Sequence, residues 1–201
     1  MIAIEAALIE RERSGRGQHI DLALLDTMGA MLANQAMNYL ASGVSPRRMG
    51  NAHPNIAPYQ TFPAADGWVI VAVGNDGQFT RLCAALGLEA LATDQRFSSN
   101  AARVARRAEL ARELTAKTRI IGRAELLDAL EKAVVPAGPI NTVADLFADP
   151  QFVARGMRID PEGVPGVRSP IVMSESALSL DLRSPKLGEH EAEILRAIGL
   201  E

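Results

Sequence analysis

Few groups in this 201-residue chain have the makings of a reaction centre: three histidines, one cysteine and 24 carboxylates spread along its length. His53 is set apart by its surroundings. It lies in Gly50-Asn51-Ala52-His53-Pro54, which has neither helical nor strand periodicity, and loops held on a rigid scaffold are where ligand contacts concentrate. Tyr59 closes the same stretch, so Gly50, Asn51, His53, Pro54 and Tyr59 are the candidate substrate-proximal residues. His19 falls in a strand-like alternation and His190 in a terminal helix turn, and both read as structural or exposed. Cys83 sits in an apolar helical pattern and reads as a core filler. A single cysteine excludes an intrachain disulfide and a cysteine metal site, which fits a reducing cytoplasm. Asp66 belongs to a turn, Asp76 reads as a helix cap, and Asp21 and Asp26 flank a strand. No HExxH, CxxC, GxSxG or phosphate-loop pattern is present, so no metal site is expected and no catalytic residue is assigned. Gly15-Arg16-Gly17 precedes a strand instead of joining a strand to a helix, which excludes a dinucleotide fingerprint.

The elements around His53 are the clearest in the chain. Ala57 to Pro63 is extended, Ala65-Asp66-Gly67 is a turn, and Trp68 to Val73 is a nearly unbroken apolar run. Asp-Gly between two extended runs predicts a hairpin. The β-branched run predicts a returning strand buried on both faces. Asn75 or Asp76 then caps a helix with Phe79, Leu82, Cys83 and Leu86 on one stripe. Further on, Asp94-Gln95-Arg96-Phe97 reads as a packed turn, Asn100 to Arg119 as a basic helix, and Gly122 to Ala133 as a second helix. Pro136, Gly138 and Pro139 force Val134 to Ile140 into an extended edge segment. Two short helices at Thr142 to Phe147 and Pro150 to Arg155, a strand at Met157 to Asp160, an extended stretch at Val167 to Val172 and a last helix at Glu189 to Ile198 follow.

Upstream, Ile2 to Arg13 predicts a helix, His19 to Leu25 a strand, and the residues from Asp26 to Gly43 one long helix. Met28, Met31 and Met37 on that helix read as packing contacts. This order predicts an α/β fold with a boundary near residues 44 to 50. The first helix has no cap before Ile2 and reads as a core helix entered in its middle. Net charge is −3 and the pI is near 5.7, which argues against a nucleic-acid partner. The basic clusters Arg11 to Arg16 and Arg103 to Arg107 read as solvated helix faces. No apolar run approaches the roughly 20 residues of a membrane span, so no membrane partner is expected.

Several separated motifs resemble the class III CoA-transferases, the CaiB/BaiF type to which the formyl-CoA and carnitine CoA-transferases belong. They are Ser14-Gly15-Arg16-Gly17-Gln18 leading into Ile20 to Asp26, Gly50-Asn51-Ala52-His53-Pro54, and Pro58-Tyr59-Gln60-Thr61-Phe62 with Asp66-Gly67. Gly74-Asn75-Asp76 with Phe79, and Asp94 to Phe97 with Asn100 and Arg103, come next. Val135 to Asn141, Asp149-Pro150-Gln151, Arg155-Gly156-Met157 and Leu187 to His190 complete the set, which covers nearly the whole chain.

The resemblance implies a protein that moves CoA from an acyl-CoA donor to a carboxylic acid acceptor, with CoA and acyl-CoA as substrates and no tightly bound cofactor. It implies attack of an aspartate carboxylate on the thioester, giving a mixed anhydride and then an aspartyl-CoA thioester. The similar loop of the small domain closes over these intermediates; here it is not glycine-rich, and only closeness to substrate carries over to Gly50 to Pro54. The implied fold is an interlocked homodimer in which a partial Rossmann-like large domain meets a small α+β domain. On that pattern residues 1–43 are a remnant of the large domain and 44–56 a linker. Residues 57–144 are the small domain, and 145–201 return to the large domain. The family's nucleophilic aspartate falls just before Met1 on this pattern, and the CoA-binding half lies upstream as well. The expectation is therefore a C-terminal half, inactive alone, that dimerises or pairs with a separate N-terminal half. The α-methylacyl-CoA racemases share the implied fold, but their loop reads Gly-Gly-Ala-Pro-Phe-Tyr, and His53 to Tyr59 is closer to the transferases. A non-catalytic binding or regulatory subunit is the other alternative.

Overall fold

The computed structural model describes residues 1–200. The chain opens with three helices: α1 (Ile2–Ser14), α2 (Leu24–Met31) and α3 (Asn34–Ser42). A hairpin follows, β1 (Tyr59–Ala64) and β2 (Gly67–Ala72), then α4 (Asp76–Ala85), α5 (Glu89–Thr93), α6 (Asn100–Ala105), α7 (Arg107–Thr118) and α8 (Arg123–Lys132). The edge strand β3 (Ala137–Pro139) leads to α9 (Val143–Ala148), α10 (Pro150–Ala154), β4 (Arg158–Ile159), β5 (Gly166–Val167) and α11 (Glu191–Ala197). The molecule is thus a mixed helix-and-sheet structure.

The sheet is antiparallel in the order β1-β2-β3, with Ala64 opposite Gly67 across the turn and Ile70 opposite Gly138. The Asp-Gly signal is realised as a hairpin in which the Asp66 carboxylate accepts the Arg123 N–H (2.6 Å) at the start of α8. Val69, Val71 and Val73 are fully buried, because α8 covers one face of β2. Burial of this kind contributes about 1.5–3 kcal/mol per side chain. The expectation that β2 is buried on both faces is corrected: Trp68 is exposed and Ile70 and Ala72 are half-buried, so one face only belongs to the core. Phe62, Phe79, Leu82, Phe97, Leu110, Leu114, Leu126 and Leu130 join that core, all of which lies between Phe62 and Val135.

Four other expectations differ from the structure. Residues 16–23 form no strand, since no described strand lies beside them and a strand is held by its neighbour's backbone. The long helix from Asp26 starts at Leu24 and breaks after Met31, where Ala33 takes φ 46°; it does end on Gly43 at φ 71°, as read. The helix from Asn100 turns at Arg106 into α6 and α7. The extended segment before Ile140 forms the edge of the sheet as expected, and β4 and β5 form a two-residue ladder where two longer runs were read.

The helices α1, α2 and α3 contain no buried residue. Ile2, Leu24, Leu25, Met31 and Leu40 are each more than two-thirds exposed.

Candidate active site

The loop from Gly50 to Pro58 follows no regular backbone pattern, so its polar groups need partners from elsewhere. Gly50 turns the chain at φ 64°, a left-handed conformation that suits glycine. The Asn51 carboxamide accepts the Thr61 N–H at 3.0 Å and ties the loop's start to β1. The His53 N–H donates to the Tyr59 carbonyl at 2.9 Å, closing the loop on itself.

Its carbonyls are then met one after another. Arg107 donates to Pro54 O (3.0 Å) and Ile56 O (3.2 Å). Asn100 donates to Asn55 O at 2.8 Å and accepts the Ala57 N–H at 3.2 Å. Arg103 donates to Ala57 O at 2.7 Å, and Pro58 O takes the Val73 N–H at 3.0 Å. Every carbonyl from Pro54 to Tyr59 therefore has a donor, and four of the six are supplied by three side chains spaced 100, 103 and 107 on one helical face. The chain bend at Arg106 lies within that span. Asn38 of α3 and Asn55 exchange amide hydrogen bonds at 3.3 and 3.0 Å, linking the loop to the opening helices.

Arg103 is the centre of this arrangement and only 1% exposed. Besides Ala57 O it reaches Phe97 O (3.0 Å) and the Asp76 carboxylate (2.7 Å), and its guanidinium lies 4.5 Å from the Phe79 ring centroid. A buried guanidinium is tolerated when its donors are all directed at acceptors, and the planar fork suits that. Burial also pulls the Arg107 guanidinium below its usual pKa range. The reading of Arg103 to Arg107 as a solvated face is corrected for both residues. Asp76 is the partner of Arg103 and not a cap; Asn75 caps α4 by accepting the Gln78 N–H. The missed signal is spacing: Arg103 sits seven and eleven residues before Leu110 and Leu114, on the stripe that faces the core.

Held this way, His53 and Tyr59 stack with ring centroids 5.2 Å apart and planes within 12°. The Asn55 N–H donates to His53 Nδ1 at 3.1 Å. Pro54 is half-buried between them in sequence, and its carbonyl is one of the clamped set. His19 is exposed and His190 pairs with Glu193 at 3.6 Å, both away from the loop's bonded network. Asp21 and Asp26 are exposed, and Asp66 is committed to Arg123. Cys83 is fully buried, and burial pushes its thiol up to about 11. Among the described residues no cluster of three or more histidine, cysteine or carboxylate side chains could hold a metal ion. No described helix is long and apolar enough to cross a membrane. Open grooves occur elsewhere: one of about 510 Å3 lies along Gln78, Leu127, Glu131 and Val134 to Pro139, and another of similar size beside Leu32, Tyr39 and Pro46.

Comparison with known proteins bears on what such a loop serves. The model of CoA-transferase family III matches residues 1–191. A succinate–glutarate CoA-transferase of Agrobacterium fabrum is 55% identical over 198 residues, covering 96% of this chain and 50% of that protein. A succinyl-CoA:glutarate CoA-transferase of Homo sapiens is 35% identical over 201 residues, covering 98% and 46%. The crystal structure of a CAIB/BAIF family protein from Brucella suis is 63% identical, with a TM-score of 0.81 over 100% of this chain and 52% of that one. The chain spans about half the length of these relatives.

Proposed function

The chain belongs to CoA-transferase family III, and on that premise we propose that it works within a CoA-transferase that takes CoA from succinyl-CoA and gives it to a short dicarboxylic acid. The observation that carries the substrate class is the 55% identity, over nearly the whole chain, to a succinate–glutarate CoA-transferase. Relatives at 39% and 34% identity are named for mesaconate and D-citramalate, with succinyl-CoA in both names. All these acids carry two carboxylates. The His53-Pro54 loop, in place of a Gly-Gly-Ala-Pro-Phe-Tyr loop, supports transfer over racemisation.

In this reading the Gly50–Tyr59 loop is the wall against which the acyl group lies, and Gly50, Asn51, His53, Pro54 and Tyr59 are its substrate-proximal residues. A carboxylate nucleophile attacks the donor thioester and forms a mixed anhydride as the CoA thiolate leaves; the thiolate attacks the enzyme's carbonyl of that anhydride, which releases the donor acid and leaves an enzyme-CoA thioester. The acceptor carboxylate attacks this thioester to give a second anhydride, and the expelled thiolate takes the acceptor's acyl carbon, which frees the enzyme carboxylate. On the family pattern that carboxylate comes from outside the described residues; that Asp66 and Asp76 are engaged by Arg123 and Arg103, and that Asp21 and Asp26 are exposed, supports this reading. The unit 57–144 acts as a small domain, reached through 44–56. Residues 1–43 and 145–201 pack on a larger domain, in a homodimer or against a separate N-terminal half. The lone buried thiol suits a reducing cytoplasm.

The test is a transfer assay read by mass spectrometry. The 201-residue chain and the full protein carrying it are each given succinyl-CoA with glutarate or mesaconate. New acyl-CoA is expected from the full protein only. Transfer by the 201 residues alone overturns the external nucleophile, and no transfer by the full protein to any dicarboxylic acid overturns the function.

A further inference from the structure

The bonding of His53 fixes more than its position. Its Nδ1 accepts the Asn55 N–H, so that nitrogen carries a lone pair and no proton. A neutral imidazole with this acceptor must hold its proton on Nε2. One face of the ring is stacked on Tyr59 and the backbone N–H is used by the Tyr59 carbonyl. Nε2 has no hydrogen-bond partner among the described residues and is not a buried atom. The residue thus presents one unsatisfied polar group outward, and that group is a donor. The carbonyl clamp by Asn100, Arg103 and Arg107 keeps Asn55, and with it the tautomer, in place.

We infer that His53 binds the free carboxylate of the acyl acid through Nε2–H, as a fixed donor and not as a proton acceptor. Carboxylate oxygens only accept hydrogen bonds, which matches a donor whose direction is already set. A base would need its lone pair outward, and here the lone pair is turned inward and occupied. The inference rests on the transferase reading for the identity of the ligand, not for the tautomer.

Two measurements on the full protein test it. Long-range 15N–1H correlation spectra, with His53 assigned by its loss in His53→Gln, should show Nδ1 unprotonated and Nε2 protonated, with the Nε2 resonance moving on titration with glutarate. The opposite tautomer, or no response at saturating glutarate, overturns the inference. In transfer kinetics His53→Leu should raise KM for the acceptor acid by about 10- to 100-fold, the loss of one hydrogen bond to a charged group, while kcat moves less. His53→Gln, which keeps a donor near the Nε2 position, should recover part of that loss. An unchanged KM in His53→Leu, with the unmutated protein active, overturns the donor role alone. An inactive unmutated protein overturns the transferase reading and leaves the spectra to decide the donor.

Discussion

Arg103 shows how one side chain can set the conformation of a functional loop. Its guanidinium supplies the donors for the Ala57 and Phe97 carbonyls, both on buried residues, and reaches outward to the exposed Asp76 carboxylate. Arg103→Leu should destabilise the protein by about 2–4 kcal/mol, because the Ala57 and Phe97 carbonyls lose their donor in a buried site. Arg103→Lys should recover little, since an ammonium cannot reach three acceptors in one plane. Chemical denaturation of the two variants checks this. Cys83 gives a second prediction at this scale: with its thiol near 11, it should resist alkylation at pH 8 in the folded protein and react once denatured. Rapid labelling of the native protein would contradict its burial. The role of Cys83 was legible from its apolar helical stripe. That of Arg103 was not, because charge content outweighed position on the stripe. His53 was legible as a loop residue, but its tautomer depends on the Asn55 N–H, which only the folded turn brings to Nδ1.

Helix ends decide much of the rest. After α8 the chain turns at Val134, φ 54°, with its N–H bonded to Glu131 O and the Val135 N–H bonded back to Leu130 O. This left-handed closing turn ordinarily carries glycine, and a β-branched residue is strained there. Val134→Gly should therefore stabilise the protein by about 1 kcal/mol, measured by thermal or urea unfolding. Near the other end of the chain, Arg183 gathers Glu162 and Glu189, and the Lys186 N–H also donates to Glu189. Hydrogen bonding from Arg183, then from the Lys186 backbone, lowers the Glu189 carboxyl from 4.5 to about 2. Its folded value lies below its unfolded one. The contact's contribution is therefore complete above about pH 4.5 and is lost as pH falls toward 2. Carbonyl 13C titration of Glu189 should show a midpoint well below that of an ordinary glutamate. Elements with strong local signals were readable: the Asp-Gly hairpin, the proline-marked edge strand and the glycine after α3. The strand expected at His19 to Leu25 was not, because alternation states which residues face together but a ladder needs a neighbour.

At the scale of the whole molecule the chain is uneven. One core, from Phe62 to Val135, holds a sheet and five of the helices around it, whereas α1 to α3 expose apolar side chains along their length. Apolar surface of that extent is characteristic of an interaction face. In the chain alone, amides of β2 and α8 should exchange with deuterium slowest and those of α1 to α3 fastest, with the latter slowed once a partner surface covers them. Equal protection in α1 and β2 of the isolated chain would contradict this picture. Composition and helical period located these opening helices without revealing that none of their side chains would be buried, since both report which residues prefer burial and neither supplies what covers them.

The clamp on the loop separates two kinds of information. Asn100, Arg103 and Arg107 grip backbone oxygens, which every amino acid has, so they read the path of residues 54 to 57 and not their identity. The loop's shape is written some 45 positions downstream of the loop itself. Its side chains are accordingly free to be rewritten for a different acid while the frame that presents them stays the same. A graft of this loop onto another protein would carry the letters without the address unless helix α6 and the start of α7 travelled with it.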